Sequence, residues 1–353
     1  MASTRVVGLD VGTTAVRAAQ VELGSGGAGG KVQPTLQRVA AVPLPVGAVR
    51  DGEVADAPAV SAALRRLWEV GRFESRDVVI GVGHQRVLVR DLELPWMPLP
   101  QLKASLPYQV NEMLPMQVSD ALLDYYPTGE GENEQQRTVK GMLVAAPRDS
   151  VTANVVAVEG AGLRPTMVDL NAFALLRALA RGDLARCTAA FVDIGARTTN
   201  VVIATGGAPR LVRMLRAGGQ DATDAVARAL SVAQPEAEQL KRQIGVGREV
   251  PGQYASAAEA LAATTMSLLE SVRNTLTYFA SGQHTAVDVI VLSGGGAHLP
   301  GLGQYLSSAS RIPVTLADPV SSVRLGKSVD RGALAGSESL LAMPVGLAYG
   351  VAA

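Results

Sequence analysis

Two segments of this chain carry an aspartate, a glycine and a pair of hydroxyl side chains in the same order. Residues 8–14 read Gly-Leu-Asp-Val-Gly-Thr-Thr, and residues 192–200 read Val-Asp-Ile-Gly-Ala-Arg-Thr-Thr-Asn. Apolar runs flank each segment, which predicts two strands joined by a tight turn. Backbone N–H groups and hydroxyls in such turns bind phosphate oxygens. Two of these hairpins, half a chain apart, predict a polyphosphate held from both sides.

The two aspartates suggest a metal ion beside the phosphates. Asp10 and Asp193 would repel a phosphate directly, so their presence makes sense if Mg²⁺ lies between, held through water. We therefore expect both to be catalytic and metal-binding residues. The expected phosphate-binding residues are the glycines and hydroxyls of the turns: Gly12, Thr13, Thr14, Gly195, Thr198 and Thr199. For either segment alone, an ordinary β-turn that begins with aspartate is the alternative.

Two further groups of residues are candidates for the nucleoside. Gly294-Gly295-Gly296 follow an apolar strand and precede a helix, which permits close approach of a base or a phosphate. A flexible loop is the alternative. Glu238, Lys241 and Arg242 lie at i, i+3 and i+4 and share one helical face. They predict either a ribose and adenine contact or a solvated row of salt bridges.

Composition limits the class of protein. The 353 residues suggest two domains or one bilobed unit, and 48% hydrophobic residues suffice for a large core. Lys+Arg and Asp+Glu both number 32, which gives no basic surface for nucleic acid. The single Cys187 excludes an internal disulfide. The N-terminus shows no signal peptide, and no apolar run reaches about 18 residues, so we expect a cytoplasmic protein without direct membrane insertion.

The order of elements predicts an α/β fold. Each candidate phosphate hairpin is followed by helices, so the chain reads as two similar halves that face a cleft. Residues 58–73, 99–114 and 256–281 have helical periodicity, and Pro107 is expected to kink the second of these.

Together these motifs resemble those of the actin/Hsp70/sugar-kinase superfamily. The resemblance matches residues 8–14 and 193–199 to the two phosphate motifs, and residues 292–301 to the adenosine motif. It also matches the Glu238 helix to the ribose side, with Gly218 and Gly219 in the turn before that helical subdomain. The fold implied is the actin-like ATPase fold, two ribonuclease-H-like lobes around a nucleotide cleft. The implied cofactors are ATP and Mg²⁺.

Within the superfamily, residues 106–127 resemble the PilM family of type IV pilus assembly proteins, which is related to the division protein FtsA. The resemblance implies an inserted 1C subdomain between the phosphate motifs. The subdomains expected on this basis are 1A at 1–78 with 169–186, 1C at 79–168, 2A at 187–217 and 286–353, and 2B at 218–285.

The same resemblance implies a function. It is that of an ATP-binding component of the pilus assembly machinery, held at the inner face of the cytoplasmic membrane through a protein partner. The implied partner is the N-terminal cytoplasmic tail of the membrane protein PilN, in a groove between 1A and 1C. Other inner-membrane and motor components of the pilus are further candidate partners.

One departure from the superfamily pattern predicts slow hydrolysis at best. Actin-like ATPases often place Glu-Pro before the second phosphate motif, where the carboxylate positions the attacking water. The matching position here reads Asp169-Leu170-Asn171, and the shorter Asp169 is a weaker candidate for that role. Two alternatives stay open: a filament-forming ATPase similar to FtsA or MreB, and a small-molecule kinase of the same superfamily.

Overall fold

A computed structural model describes residues 4–24, 33–132, 136–283 and 285–352. Its strands, in chain order, are β1 (Thr4–Val11), β2 (Ala15–Leu23), β3 (Thr35–Pro43), β4 (Val49–Arg50), β5 (Glu53–Val54), β6 (Asp77–Val82), β7 (Leu88–Pro95), β8 (Ala121–Glu132), β9 (Arg137–Pro147), β10 (Arg164–Leu170), β11 (Thr188–Ile194), β12 (Thr199–Thr205), β13 (Ala208–Leu215), β14 (Val289–Ser293), β15 (Val314–Leu316) and β16 (Arg324–Leu325). Its helices are α1 (Ala57–Gly71), α2 (Leu99–Gln109), α3 (Arg148–Glu159), α4 (Asn171–Leu179), α5 (Gly219–Leu230), α6 (Gln234–Ile244), α7 (Ala255–Gln283), α8 (Leu302–Ser310), α9 (Arg331–Leu334) and α10 (Ala342–Ala348).

Two sheets with the same internal plan form the two lobes. The first lobe has a six-stranded sheet in the order β10-β6-β1-β2-β3-β16, and the second lobe a five-stranded sheet in the order β13-β12-β11-β14-β15. In each sheet an antiparallel hairpin, β1–β2 or β11–β12, has a parallel strand, β6 or β14, beside its first strand. The duplication places the two candidate phosphate turns at equivalent ends of the two sheets.

A smaller three-stranded sheet, in the order β7-β9-β8, forms the insert, which we define as residues 88–147. Its helix α2 packs on β8 and buries Leu102 and Leu106. The helix ends at Gln109, short of the expected residue 114. A 3-10 turn over Asn111–Met113 follows, and Leu114, which precedes a proline, is extended. A shared apolar cluster joins Met142 of the insert with Phe173 and Phe191. The insert therefore packs against both lobes.

The structure corrects two of the expected boundaries. Residues 79–168 were expected to form 1C, but β6 and β10 pair in parallel within the first lobe's sheet, so only the part between them is a separate sheet. Residues 286–353 were expected to lie in 2A, but β16 pairs with β3 and α10 packs on β1, β2 and α4. The chain returns to the first lobe because its apolar C-terminal residues, among them Val345, Leu347 and Tyr349, complete that lobe's core.

No helix in the described ranges combines the length and the apolar character needed to cross a bilayer.

Candidate functional site

The two candidate phosphate turns have the same backbone geometry. We call residues 11–14 the first phosphate turn and residues 194–198 the second. The Gly12 N–H donates to the Ala15 carbonyl oxygen at 3.1 Å, and the Gly195 N–H donates to the Thr198 carbonyl oxygen at 2.9 Å. A Cβ on Gly12 would lie 3.0 Å from the Ala15 oxygen, and one on Gly195 would lie 2.9 Å from the Thr198 oxygen. A side chain at this position would therefore crowd the carbonyl oxygen that closes each turn.

The two aspartates lie at the ends of the paired strands, one on each lobe. Asp10 is opposite Arg17 in the β1–β2 register, and Asp193 is opposite Asn200 in the β11–β12 register. Burial raises the pKa of Asp10 to about 6, an effect that Arg17 opposes and Asp193 reinforces. Burial also raises the pKa of Asp193, although a hydrogen bond from Ser293 Oγ at 2.9 Å opposes the shift.

This arrangement of carboxylates fits a cation. Each aspartate is buried enough to disfavour its charge, and the charge of Asp193 raises the pKa of Asp10 across the cleft. A divalent cation between them would offset both effects. Carboxylate and hydroxyl oxygens with remaining water ligands are what Mg²⁺ prefers. Asp10, Asp193 and the hydroxyls of Thr13 and Thr14 supply such oxygens.

Two glycine pairs bring further backbone against the second phosphate turn. Gly294 has φ +80°, and a Cβ there would lie 2.5 Å from the Ile194 carbonyl oxygen. A Cβ on Gly218 would lie 2.5 Å from the Ala196 oxygen, and the Gly219 N–H donates to the Gly195 oxygen at 2.9 Å. The Gly294 loop and the start of α5 are thus fixed around this turn.

A polar cluster on α6 lies beside the start of α5. The buried Lys241 Nζ donates to the Gly219 carbonyl oxygen at 3.0 Å and to Thr223 Oγ1 at 2.9 Å. It also pairs with Glu238 Oε2 at 2.6 Å, and Arg242 pairs with Glu238 Oε1 at 2.9 Å. Burial raises the pKa of Glu238, but the hydrogen bonds from Lys241 and Thr223, the charge of Lys241 and the hydrogen bond from Arg242 together lower it. The structure contains the ion pairs that were expected along this helix face. They border a cleft instead of open solvent.

All of these groups line one cleft of about 1160 Å³ between the lobes. The structure brings together most of the expected site residues there: Asp10, Gly12, Thr13, Thr14, Asp193, Gly195, Thr198, Gly218, Gly219, Glu238, Lys241, Arg242, Gly294, Gly295 and Gly296. Two expected residues are not among those that line it, Thr199 and Asp169. Thr199 is fully buried, and its hydroxyl donates to the Ala217 carbonyl oxygen at 2.8 Å.

Asp169 is held away from the cleft by an ion pair. Its carboxylate pairs with Arg177 and also accepts from the Leu170 N–H at 2.8 Å. The residue of this segment that lines the cleft is Asn171, whose side chain packs against Gly81 and Gly83. The structure therefore places Asp169 outside the cleft lining, and the water-orienting role expected of it stays a prediction.

The sequence reasoning missed three arginines of the cleft. Arg17 Nη1 lies 3.9 Å from Asp10 Oδ2. Arg197 pairs with Asp221 at 2.8 Å and with Asp224 at 2.7 Å. Arg50 also lines the cleft. The hairpin register was the signal for Arg17, because a turn closed between Gly12 and Ala15 makes Asp10 and Arg17 cross-strand partners. No comparable signal marks Arg50.

Comparisons with known proteins give a consistent result. A profile of the family described as type IV pilus assembly protein PilM matches residues 8–350. A solved PilM-PilN type IV pilus biogenesis complex contains a similar chain, 27% identical, with a TM-score of 0.85 and 98% of each chain covered.

More distant structures share the fold. Ethanolamine utilization protein EutJ from Carboxydothermus hydrogenoformans is 16% identical with a TM-score of 0.57, covering 99% of this chain and 90% of its own. MreB5 of Spiroplasma citri bound to ADP is 14% identical with a TM-score of 0.53, covering 97% and 94%. At these identities the likeness concerns the fold alone.

Proposed function

This chain belongs to the PilM family of type IV pilus assembly proteins and has the actin-like ATPase fold, and from that premise we propose that it binds ATP with Mg²⁺ in the cleft between its lobes. The observation that carries the proposal is the pair of equivalent phosphate turns, one on each lobe, each with a partly buried aspartate on the strand that leads into it. MreB5 of Spiroplasma citri, which shares the fold, was solved with ADP.

Different residues of the cleft contact different parts of the nucleotide. Backbone N–H groups of the turns and the Thr13, Thr14 and Thr198 hydroxyls bind the phosphates. Arg17 supplies a positive charge 3.9 Å from Asp10 and opposes the rise in the pKa of both Asp10 and Asp193. The glycines at 294–296 and the cluster around Lys241 and Glu238 hold the nucleoside.

Asp10 and Asp193 hold Mg²⁺ through water. When bound, the ion neutralises phosphate charge and offsets the repulsion between the two carboxylates. Burial favours the protonated acids, so a bound cation would favour the ionised form of both aspartates.

Hydrolysis is slow in this proposal. The carboxylate at the position of the water-orienting residue is Asp169, and its ion pair with Arg177 occupies it. Asn171, which lines the cleft instead, has an amide that can orient a water molecule but cannot accept its proton. ATP then acts chiefly as a ligand that shifts the populations of two lobe arrangements.

The proposed partner is the N-terminal cytoplasmic tail of PilN, bound between 1A and the insert, with other inner-membrane and motor components as further partners. Support comes from the similar PilM chain that was solved in a PilM-PilN complex. The insert packs through Met142 against Phe173 of α4 and Phe191 of the second lobe. A change in lobe angle therefore moves a surface of the insert. The chain is cytoplasmic in this account and reaches the inner face of the membrane through PilN.

Calorimetric titration of the purified protein with ATP, with and without Mg²⁺, tests the nucleotide site. We expect saturable binding that strengthens with Mg²⁺ and is abolished in Gly12→Val, since the Cβ would already crowd the Ala15 oxygen. Gly129→Ala is the matched control, because a Cβ there meets nothing within 4 Å. Normal ATP binding by Gly12→Val would show that the site is wrongly assigned.

A further inference from the structure

A short hairpin of the first lobe lies over both phosphate turns. It consists of β4 and β5, and its tip residues Asp51 and Gly52 have positive φ. The chain that leads into it is tied to the first turn, because the Leu44 N–H donates to the Thr14 carbonyl oxygen at 2.9 Å. Its tip reaches the second turn, since a Cβ on Gly52 would lie 3.9 Å from Thr198 Cγ2. The hairpin and the chain that leads into it thus link the first phosphate turn to the second at the edge of the cleft.

Arg50 of this hairpin differs from the other cations of the cleft in its ion pairing. The arginines and lysines that line the cleft are Arg17, Arg50, Arg197, Lys241 and Arg242. Four of them have a carboxylate within 4.0 Å: Asp10 for Arg17, Asp221 and Asp224 for Arg197, and Glu238 for both Lys241 and Arg242. Within the described part of the chain, Arg50 is the cleft-lining cation without such a partner.

Two carboxylates lie close to Arg50 along the hairpin, and among the described residues neither pairs with it within 4.0 Å. Asp51 follows Arg50 at the tip, and Glu53 is committed elsewhere. Glu53 is the cross-strand partner of Arg50 in the β4–β5 register. Its two oxygens instead pair with His84 Nδ1 at 3.1 Å and with Arg86 Nη1 at 3.2 Å. The guanidinium of Arg50 rests beside Gly47, whose Cβ position lies 3.6 Å from Nη2, and both residues line the cleft. An exposed cation at the mouth of a phosphate cleft, with no carboxylate within 4.0 Å in the described part of the chain, fits an anionic ligand group.

We propose that Arg50 binds the terminal phosphate of the nucleotide and makes the cleft prefer a nucleoside triphosphate over the diphosphate. This inference rests on the proposed function, because it requires nucleotide in the cleft. The turns and Arg17, which is less exposed than Arg50, contact the inner phosphates. The second lobe contacts the nucleoside. The remaining phosphate is the one that lies where the first-lobe hairpin covers both turns. Arg50 is thus a specificity-determining residue.

The test is a comparison of ATP and ADP affinities, each with Mg²⁺, in the wild type and three variants. Arg50→Ala removes the cation, and Arg50→Lys keeps the charge without the planar fork. Arg66→Ala is the matched control, since Arg66 is exposed on α1 and does not line the cleft. We expect Arg50→Ala to weaken ATP by about tenfold or more and ADP by less than about twofold, the range for one charged hydrogen bond. We expect the ATP affinity of Arg50→Lys to lie between those of the wild type and Arg50→Ala. Arg66→Ala leaves the affinities for ATP and ADP unchanged.

Two outcomes overturn the inference while leaving the nucleotide site intact. One is an Arg50→Ala variant that weakens ATP and ADP by the same factor, and the other is a variant that changes neither. Arg17→Ala separates the two proposals, since the proposed function expects it to weaken both nucleotides alike. A wild-type protein that binds neither ATP nor ADP would overturn the proposed function and this inference together.

Discussion

Asp169 and Arg177 form an ion pair between the end of β10 and the body of α4, with both side chains mostly buried, at 13% and 21% exposed. Burial is also the main reason that the pKa of Arg177 is lowered to about 10. The pair joins the strand to the helix that packs under α10. A residue at the position expected to orient water thus contributes to the packing of the first lobe.

The first prediction concerns this pair. Asp169→Ala leaves the Arg177 guanidinium buried without its carboxylate, so we expect the free energy of unfolding to fall by about 2–3 kcal/mol. Mg²⁺·ATP affinity and the rate of ATP hydrolysis stay unchanged, because Asp169 does not line the cleft. Chemical denaturation and a phosphate-release assay measure the two effects. A large drop in hydrolysis at unchanged stability would restore the catalytic role of Asp169.

The second prediction separates two adjacent threonines. Thr198→Val removes a hydroxyl that lines the cleft, so we expect nucleotide affinity to fall about tenfold with little loss of stability. Thr199→Val removes the buried hydrogen bond to the Ala217 oxygen, so we expect a loss of about 1–2 kcal/mol of stability and unchanged affinity. Each variant is the control for the other. The opposite pattern would mean that the second phosphate turn presents Thr199 to the ligand.

The third prediction concerns pH. Because burial raises the pKa of Asp10 to about 6, the folded protein binds this proton more tightly than the unfolded chain does. The contribution of Asp10 to stability is therefore fully present below its ordinary pKa of 3.8 and is lost as the pH rises through about 6.

Asp10→Asn has no such charge, so we expect it to be more stable than the wild type by up to about 3 kcal/mol at pH 8 and by much less at pH 4.5. Thermal unfolding without nucleotide at the two pH values measures this difference. A stability difference that does not change with pH would show that Asp10 has an ordinary pKa. Since Mg²⁺ requires the ionised carboxylate, Mg²⁺·ADP affinity of the wild type should also fall below about pH 6.

The local patterns of the sequence predicted much of the fold and the site. Apolar runs around Asp10 and Asp193 placed both hairpins, because strand alternation and turn glycines are short-range signals. The helix of residues 256–281 was expected within two residues of its observed ends at Ala255 and Gln283. The glycines of the site were predicted because close backbone approach requires them, and Gly218 and Gly294 do lie close to neighbouring backbone.

Tertiary relationships account for what the sequence did not reveal. The return of β16 to the first lobe depends on pairing with β3, nearly 290 residues earlier, and no local pattern marks it. The orientation of Asp169 depends on its ion pair with Arg177, which lies in the next helix, α4. The significance of Arg50 depends on which carboxylates pair with the other cleft cations, and no local pattern reveals all of those pairs.

The central claim is that nucleotide in the cleft sets the binding of the partner tail, and one titration tests it most directly. A synthetic peptide of the N-terminal cytoplasmic tail of PilN from the same genome is titrated into the full chain by calorimetry, without nucleotide and with saturating Mg²⁺·ATP. We expect the peptide affinity to differ by at least about fivefold between the two conditions, and the difference to vanish in Gly12→Val. Equal peptide affinity with and without Mg²⁺·ATP, in a protein that binds both, would contradict the account.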